Sequence, residues 1–269
     1  MVIKNQLYVI GGVDSNNEVL NQTDILDLQV SSGGTWTSGS DMPFTSIRFA
    51  GSVINKRVLL LCGGKENLGI SQIWEDIIAL CAMYNTITDQ WTTRVPAMNE
   101  PRENHGAATV GANVYMIGGE KSGRNTFIGL SSVEKLDLKT AKWTYVAPMS
   151  KQRIQFGTAV LQNEIIVCGG RVRGQSATSS SFLKSCEAYN VNKNAWRKIE
   201  DMNEPKALFS LVAFNDKLIA LSGYNSRGGS NIGETFGVVE DYVRNRQTQK
   251  WKVIAPLKPK RILFSVVVR

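Results

Sequence analysis

Short runs of β-branched and aromatic residues alternate with polar residues along the chain, and the same runs return about every fifty positions. Five of them lead into a glycine: "QLYVIGG", "VLLLCGG", "VYMIGG", "IIVCGG" and "LIALSG". A second kind of run precedes these, as in "HGAATVGA" and "FGTAVLQN". It is set off by turn residues such as Asn55 and Lys56, Gln162 and Asn163, or Asn215 and Asp216. A third run ends in Tyr84 and Asn85, Leu136 and Asp137, or Tyr189 and Asn190, and a fourth surrounds a Trp. No apolar pattern of helical period is sustained over ten residues. Four short strands per period with tight turns predict an all-β chain of four-stranded antiparallel units.

The period itself is sharp. Gly11-Gly12, Gly63-Gly64, Gly118-Gly119, Gly169-Gly170 and the variant Ser222-Gly223 lie 52, 55, 51 and 53 residues apart. Trp36, Trp91, Trp143, Trp196 and Trp251 follow them at intervals of 55, 52, 53 and 55. Each Trp is followed after six or seven residues by Met42, Met98, Met149, Met202 or Leu257. Four residues beyond that, the last four copies carry a base: Arg102, Arg153, Lys206 and Arg261. The first copy departs from this, with Arg48 six residues after Met42. A repeat of this length predicts a propeller or an array of similar units.

These landmarks resemble the Kelch-repeat family across the whole chain. The matching residues are Gly118-Gly119, Glu134-x-Leu136-Asp137, Trp143, Met149 and Arg153, with Gly169-Gly170, Glu187-x-Tyr189-Asn190, Trp196 and Met202. The resemblance implies a Kelch-type β-propeller as a single domain over residues 1–269. The copies count out five four-stranded blades; propellers of the family more often have six, so a truncated six-bladed domain is the alternative. The phase of the ends adds an expectation. The chain enters at a second strand and leaves in a first one, "RILFSVVVR". Residues 261–269 are therefore expected to close the ring as the inner strand of the blade starting at Gln6, which removes exposed sheet edges.

Composition narrows the chemistry. The formal net charge is +8, spread along the chain with no dense basic block, which favours acidic partners and gives no reason to expect nucleic acid. No apolar run is long enough to span a membrane, and the N-terminus reads as a strand instead of a secretory signal. Cys62, Cys81, Cys168 and Cys186 show no CxxC spacing, so buried free thiols in a reducing, cytoplasmic setting are expected. The double glycines match neither a dinucleotide fingerprint nor a P-loop and are expected to serve the backbone. His105, the only histidine, aligns with Phe156, Phe209 and Phe264 and reads as a packing variant; no metal site, cofactor or catalytic constellation is expected. Glu134, Glu187 and Glu240 recur in register, so they are expected to bond the repeat bases or the backbone. The repeat Trps are expected in the blade cores.

Function should then lie where the repeat varies. Four of the five loops between second and third strands exceed the length the repeat needs, and they carry Arg124, Arg171, Arg173 and Arg227. The resemblance implies that these loops and the entries to the inner strands line a cup for a partner's peptide. The matched positions follow the glycine pair (Val13, Lys65, Glu120, Arg171, Tyr224) or precede the inner strand (Arg48, Asn104, Gln155, Leu208, Leu263). Guanidinium groups clustered there suit carboxylates. The resemblance implies a protein-interaction module for a protein partner, possibly an acidic segment, as the substrate-recognition part of a BTB–Kelch adaptor of a cullin-based ubiquitin ligase. Its alternative is an actin-binding Kelch protein, and less favoured is a carbohydrate enzyme resembling a sialic-acid epimerase.

Overall fold

The computed structural model describes residues 1–29, 34–66, 76–123, 126–174, 180–225, 234–235, 238–243 and 250–256. They form five four-stranded antiparallel sheets, one per sequence repeat. Blade 1 holds Val2–Ile3, Gln6–Val13, Val19–Asp27 and Trp36–Gly39, and blade 2 holds Ala50–Ile54, Val58–Cys62, Cys81–Asn85 and Gln90–Thr92. Blades 3 and 4 run over Gly106–Val146 and Gly157–Ile199, and blade 5 over Ser210–Pro256, each with the same strand order. The inner strands surround a central channel of about 520 Å³ lined by Ser52, Thr109, Thr158 and small apolar residues. Buried apolar side chains sit between neighbouring blades; Leu60, Cys62 and Met98 of one blade pack with Val114, Met116 and Leu136 of the next.

Blade 1 departs from the expected phase. Val2 and Ile3 form a strand of their own, paired with Leu7 and Gln6, in the place where an inner strand stands in the other blades. The chain therefore enters on an inner strand, not on a second one. The sequence "MVIK" is too short to show an alternating pattern. The closing strand expected at 261–269 lies outside the described residues.

The double glycines hold the seam between blades. Gly118 and Gly119 have φ of +57° and +87°. A Cβ on Gly119 would stand 2.4 Å from the Glu103 carbonyl oxygen, and one on Gly118 would stand 2.7 Å from Met149 Cε and 3.1 Å from Phe156 Cε1. Only a residue without a side chain meets both the dihedral and the contact. An aromatic ring of the next blade thus lies against the first glycine. His105 takes that position at the seam of blades 2 and 3, where a Cβ on Gly63 would meet its Cε1 at 2.8 Å.

Both ring nitrogens of His105 are buried, and desolvation first, then the Arg102 charge, holds its pKa well below the ordinary 6.5. The folded protein keeps the ring neutral while the unfolded chain protonates it, so stability from this group is present above pH 6.5 and lost below it. His105→Phe, which copies blades 4 and 5, should lack this acid loss. Urea midpoints at pH 7.5 and pH 5 test it; parallel shifts in variant and parent would contradict the assignment.

Two expectations about side chains need correction. The cysteines are not free: Cys62–Cys81 and Cys168–Cys186 are disulfides. Each pair sits directly opposite across the second and third strands, with Cα atoms 4.2 Å apart. Facing positions of an antiparallel ladder come that close, within bonding reach of two thiols. Trp36 is not core either, being 50% exposed. Trp91, Trp143, Trp196 and Trp251 donate their indole N–H to a carbonyl of the preceding blade, those of Ser40, Pro96, Ala147 and Glu200. Trp36 lies in the first blade, and no described carbonyl plays that part for it.

Candidate functional site

The recurring glutamates and bases form buried pairs that tie three inter-blade connections to the blades that follow them. Arg102 reaches Glu134 at 2.8 Å, Arg153 reaches Glu187 at 2.8 Å, and Lys206 reaches Glu240 at 2.9 Å. Arg153 also donates to the Gly169 and Ser185 carbonyls and to the Ser185 hydroxyl, each at 2.9 Å. These residues are fully or almost fully buried and serve the frame. What they support is the loop end of the propeller, where the strand-two-to-three loops rise.

At that end the backbone makes a belt around the channel mouth. Arg48, Asn104, Gln155 and Leu208 all have positive φ, between +52° and +59°. The Asn104 amide donates to the Arg48 carbonyl, Gln155 to Asn104, and Leu208 to Gln155, all at 3.0 Å. Left-handed backbone is uncommon for a non-glycine residue and costs roughly 1–3 kcal/mol where the surroundings impose it. Each belt residue adjoins a bridge to the position after a glycine pair: Ile47 with Lys65, Glu103 with Glu120, Ile154 with Arg171, and Ala207 with Tyr224. Four members of each position series named from the sequence therefore meet at one rim, while Leu263 lies outside the described residues.

Above the belt the loops form small ribbons, not irregular coil. Glu120–Ser122 pairs with Phe127–Gly129, Arg171–Arg173 with Ser180–Phe182, and Tyr224–Asn225 with Glu234–Thr235. Arg173 lies over the Phe127 ring at 5.2 Å, a cation–π distance, and Phe182 packs on Tyr224 at 5.7 Å. The cup thus has a guanidinium and aromatic wall on the side of blades 3 to 5.

The rim bases are not equivalent. Arg48 pairs with Glu103 at 3.3 Å, and Arg173 pairs with Glu120 at 2.5 Å. Glu120 also accepts from Asn104 at 2.9 Å, and Gln155 donates to Asn104 at 3.4 Å. Glu120 is fully buried, so it orients its neighbours and presents no surface of its own. Burial pushes the Glu103 carboxyl up, helped by the nearby Glu120 charge and opposed by Arg48. Arg171 differs: its Nε is buried with no hydrogen-bond partner. Burial, and next the neighbouring Arg173, lower its pKa from the usual value. A guanidinium so placed is short of negative charge.

Lys65, Asn104, Glu120, Gln155, Arg171, Arg173 and Tyr224 all lie at this rim with Arg48, whereas Arg124 and Arg227 fall outside the described residues. Sequence reasoning missed Glu103, Phe127, Phe182 and Gln152, whose amide donates to the Arg173 carbonyl at 3.1 Å. Glu103 carried a signal, being an acid where the other repeats place Ile47, Ile154 and Ala207. The aromatics carried none, since they occupy loops that do not repeat.

Comparisons with known proteins agree with this geometry. A family model described as the KLHDC2/KLHL20/DRC7 Kelch-repeats domain matches residues 1–223. Kelch-like protein terF of Aspergillus terreus (strain NIH 2624 / FGSC A1156) is 25% identical over 225 residues, covering 82% of this chain and 48% of that protein. Human Kelch-like protein 23 is 24% identical over 265 residues, covering 97% and 41%. Kelch repeat and BTB domain-containing protein 1 of Cowpox virus (strain Brighton Red) is 26% identical over 162 residues, covering 59% and 27%. The chain thus spans less than half the length of each of these relatives. Among solved structures, that of YjhT aligns with a TM-score of 0.79 at 14% identity, over 97% of this chain and 84% of the other. With five blades in place, buried pairs in register and a family model covering residues 1–223, the chain belongs to the Kelch-repeat β-propeller family.

Proposed function

We propose that this chain is a protein-interaction module whose cup seats a short acidic segment of a partner protein, with Arg171 as the main anchor. One observation carries this reading: Arg48 and Arg173 already have their carboxylates, while the buried Nε of Arg171 has none. A carboxylate on the partner would supply the missing acceptor through a charge-assisted, fork-shaped contact. The Phe182 and Tyr224 rings beside it offer apolar contact to the residues flanking that acid. The module acts by binding and not by catalysis, and its single histidine packs against the glycine pairs of a blade seam. Relatives whose names join Kelch repeats to a BTB domain support a substrate-receptor role in a larger ubiquitin-ligase protein, of which this chain would be the recognition part.

Selection from a displayed peptide library tests the reading. The parent chain should enrich peptides carrying Asp or Glu at one fixed position, and Arg171→Glu should lose that enrichment. Enrichment of peptides without acids, or an unchanged set with Arg171→Glu, overturns it.

A further inference from the structure

The loops that make the cup are held at their roots by different devices. In blades 3 and 5 the root is held by Arg102–Glu134 and Lys206–Glu240. Blade 4 has two locks, the Arg153–Glu187 pair and the Cys168–Cys186 disulfide. Blade 2 has lost the ion pair as a unit: Ser46 stands where the base should be, four residues after Met42, and Ala82 stands where the acid should be. Among the described residues the Ser46 hydroxyl, donating to the Gly63 carbonyl at 3.1 Å, takes their place. The disulfide Cys62–Cys81 sits next to this weakened root, directly before the glycine pair and directly after the loop.

We propose that Cys62–Cys81 is a redox-sensitive clasp on the cup, closed when oxidised and released when reduced, while the matching root in blade 4 stays held by Arg153. The chemistry is a two-electron exchange. A dithiol reductant is oxidised to its own disulfide, the Cys62–Cys81 bond breaks, and both sulfurs leave as thiols carrying the two protons. Both cysteines are almost fully buried, so a reductant acts on the opened root. That opening costs less in blade 2, where no buried ion pair has to break. Release reaches the cup because Lys65, three residues past Cys62, forms the bridge to Ile47 beside Arg48. This inference does not depend on what the cup binds.

Thiol alkylation read with backbone hydrogen exchange tests the proposal on the full chain. Without reductant, denatured protein should show no alkylated cysteine; with dithiothreitol, Cys62 and Cys81 should label before Cys168 and Cys186. Exchange at residues 63–66 and 76–80 should then speed up on the order of tenfold, while residues 169–174 and 182–185 stay within about twofold. Cys62→Ile/Cys81→Val copies the facing Ile117 and Val133 of blade 3 and should make the blade 2 root unresponsive to reductant. Free thiols before reduction, equal acceleration at both roots, blade 4 responding first, or a double variant that still responds would each overturn it. The comparison of the two roots in the parent protein stands whether or not the variant folds.

Discussion

Arg153→Met is expected to cost about 3–5 kcal/mol of folding stability, the range for breaking a buried ion pair by removing one partner. The reasoning is local. Arg153 is fully buried, and its removal strands the Glu187 carboxylate, which among the described residues keeps the Ser150 amide as donor. The Gly169 and Ser185 carbonyls lose their guanidinium donor at the same time. Unpaired buried charge is the costly part, because the low dielectric that strengthens the pair also penalises the survivor.

Two further variants separate the contributions. Arg153→Lys imitates Lys206, which meets the Glu240 carboxylate at 2.9 Å with a single ammonium group in place of the guanidinium fork. It should cost less, about 1–2 kcal/mol. Arg153→Ser/Glu187→Ala copies the uncharged blade 2 solution, so it should cost less than the sum of its parts. Denaturant unfolding in the presence of the intact disulfides measures all three. A cost below about 1 kcal/mol for Arg153→Met, the value of an exposed pair, would show that the frame does not depend on these locks.

The frame was legible because every structural demand recurs. A glycine pair is needed at each seam, and a base and an acid are needed at most loop roots, so five copies expose both roles. Three features resisted for physical reasons. The disulfides depend on which residues face each other across the ladder, whereas the repeat aligns Cys62 with Cys168 and Cys81 with Cys186. The exposure of Trp36 depends on the neighbouring blade, not on its own repeat. The inner strand at Val2 and Ile3 is too short for a period to show.

The candidate site was half legible. Its positions followed from the repeat, since Arg48, Asn104 and Gln155 share one slot and Glu120 and Arg171 share another. Its charge balance did not. Geometry alone assigns Glu103 to Arg48 and Glu120 to Arg173, leaving the Arg171 Nε without a hydrogen-bond partner.

The largest functional effect is therefore expected at Arg171. Arg171→Gln removes the charge that a bound acid would meet, and a hydrogen bond to a charged group contributes roughly 1.5–3 kcal/mol, or about ten- to hundredfold in affinity. Arg48→Gln should weaken binding less, because Arg48 is already paired to a carboxylate within the protein. Arg197 serves as the control, an arginine on an outer strand that pairs with Glu164 away from the cup. Binding of an acidic peptide from the displayed library, measured by titration calorimetry at fixed salt, compares them directly. The account predicts a loss of tenfold or more for Arg171→Gln and no change for Arg197→Gln; equal affinity of the parent and Arg171→Gln would contradict it.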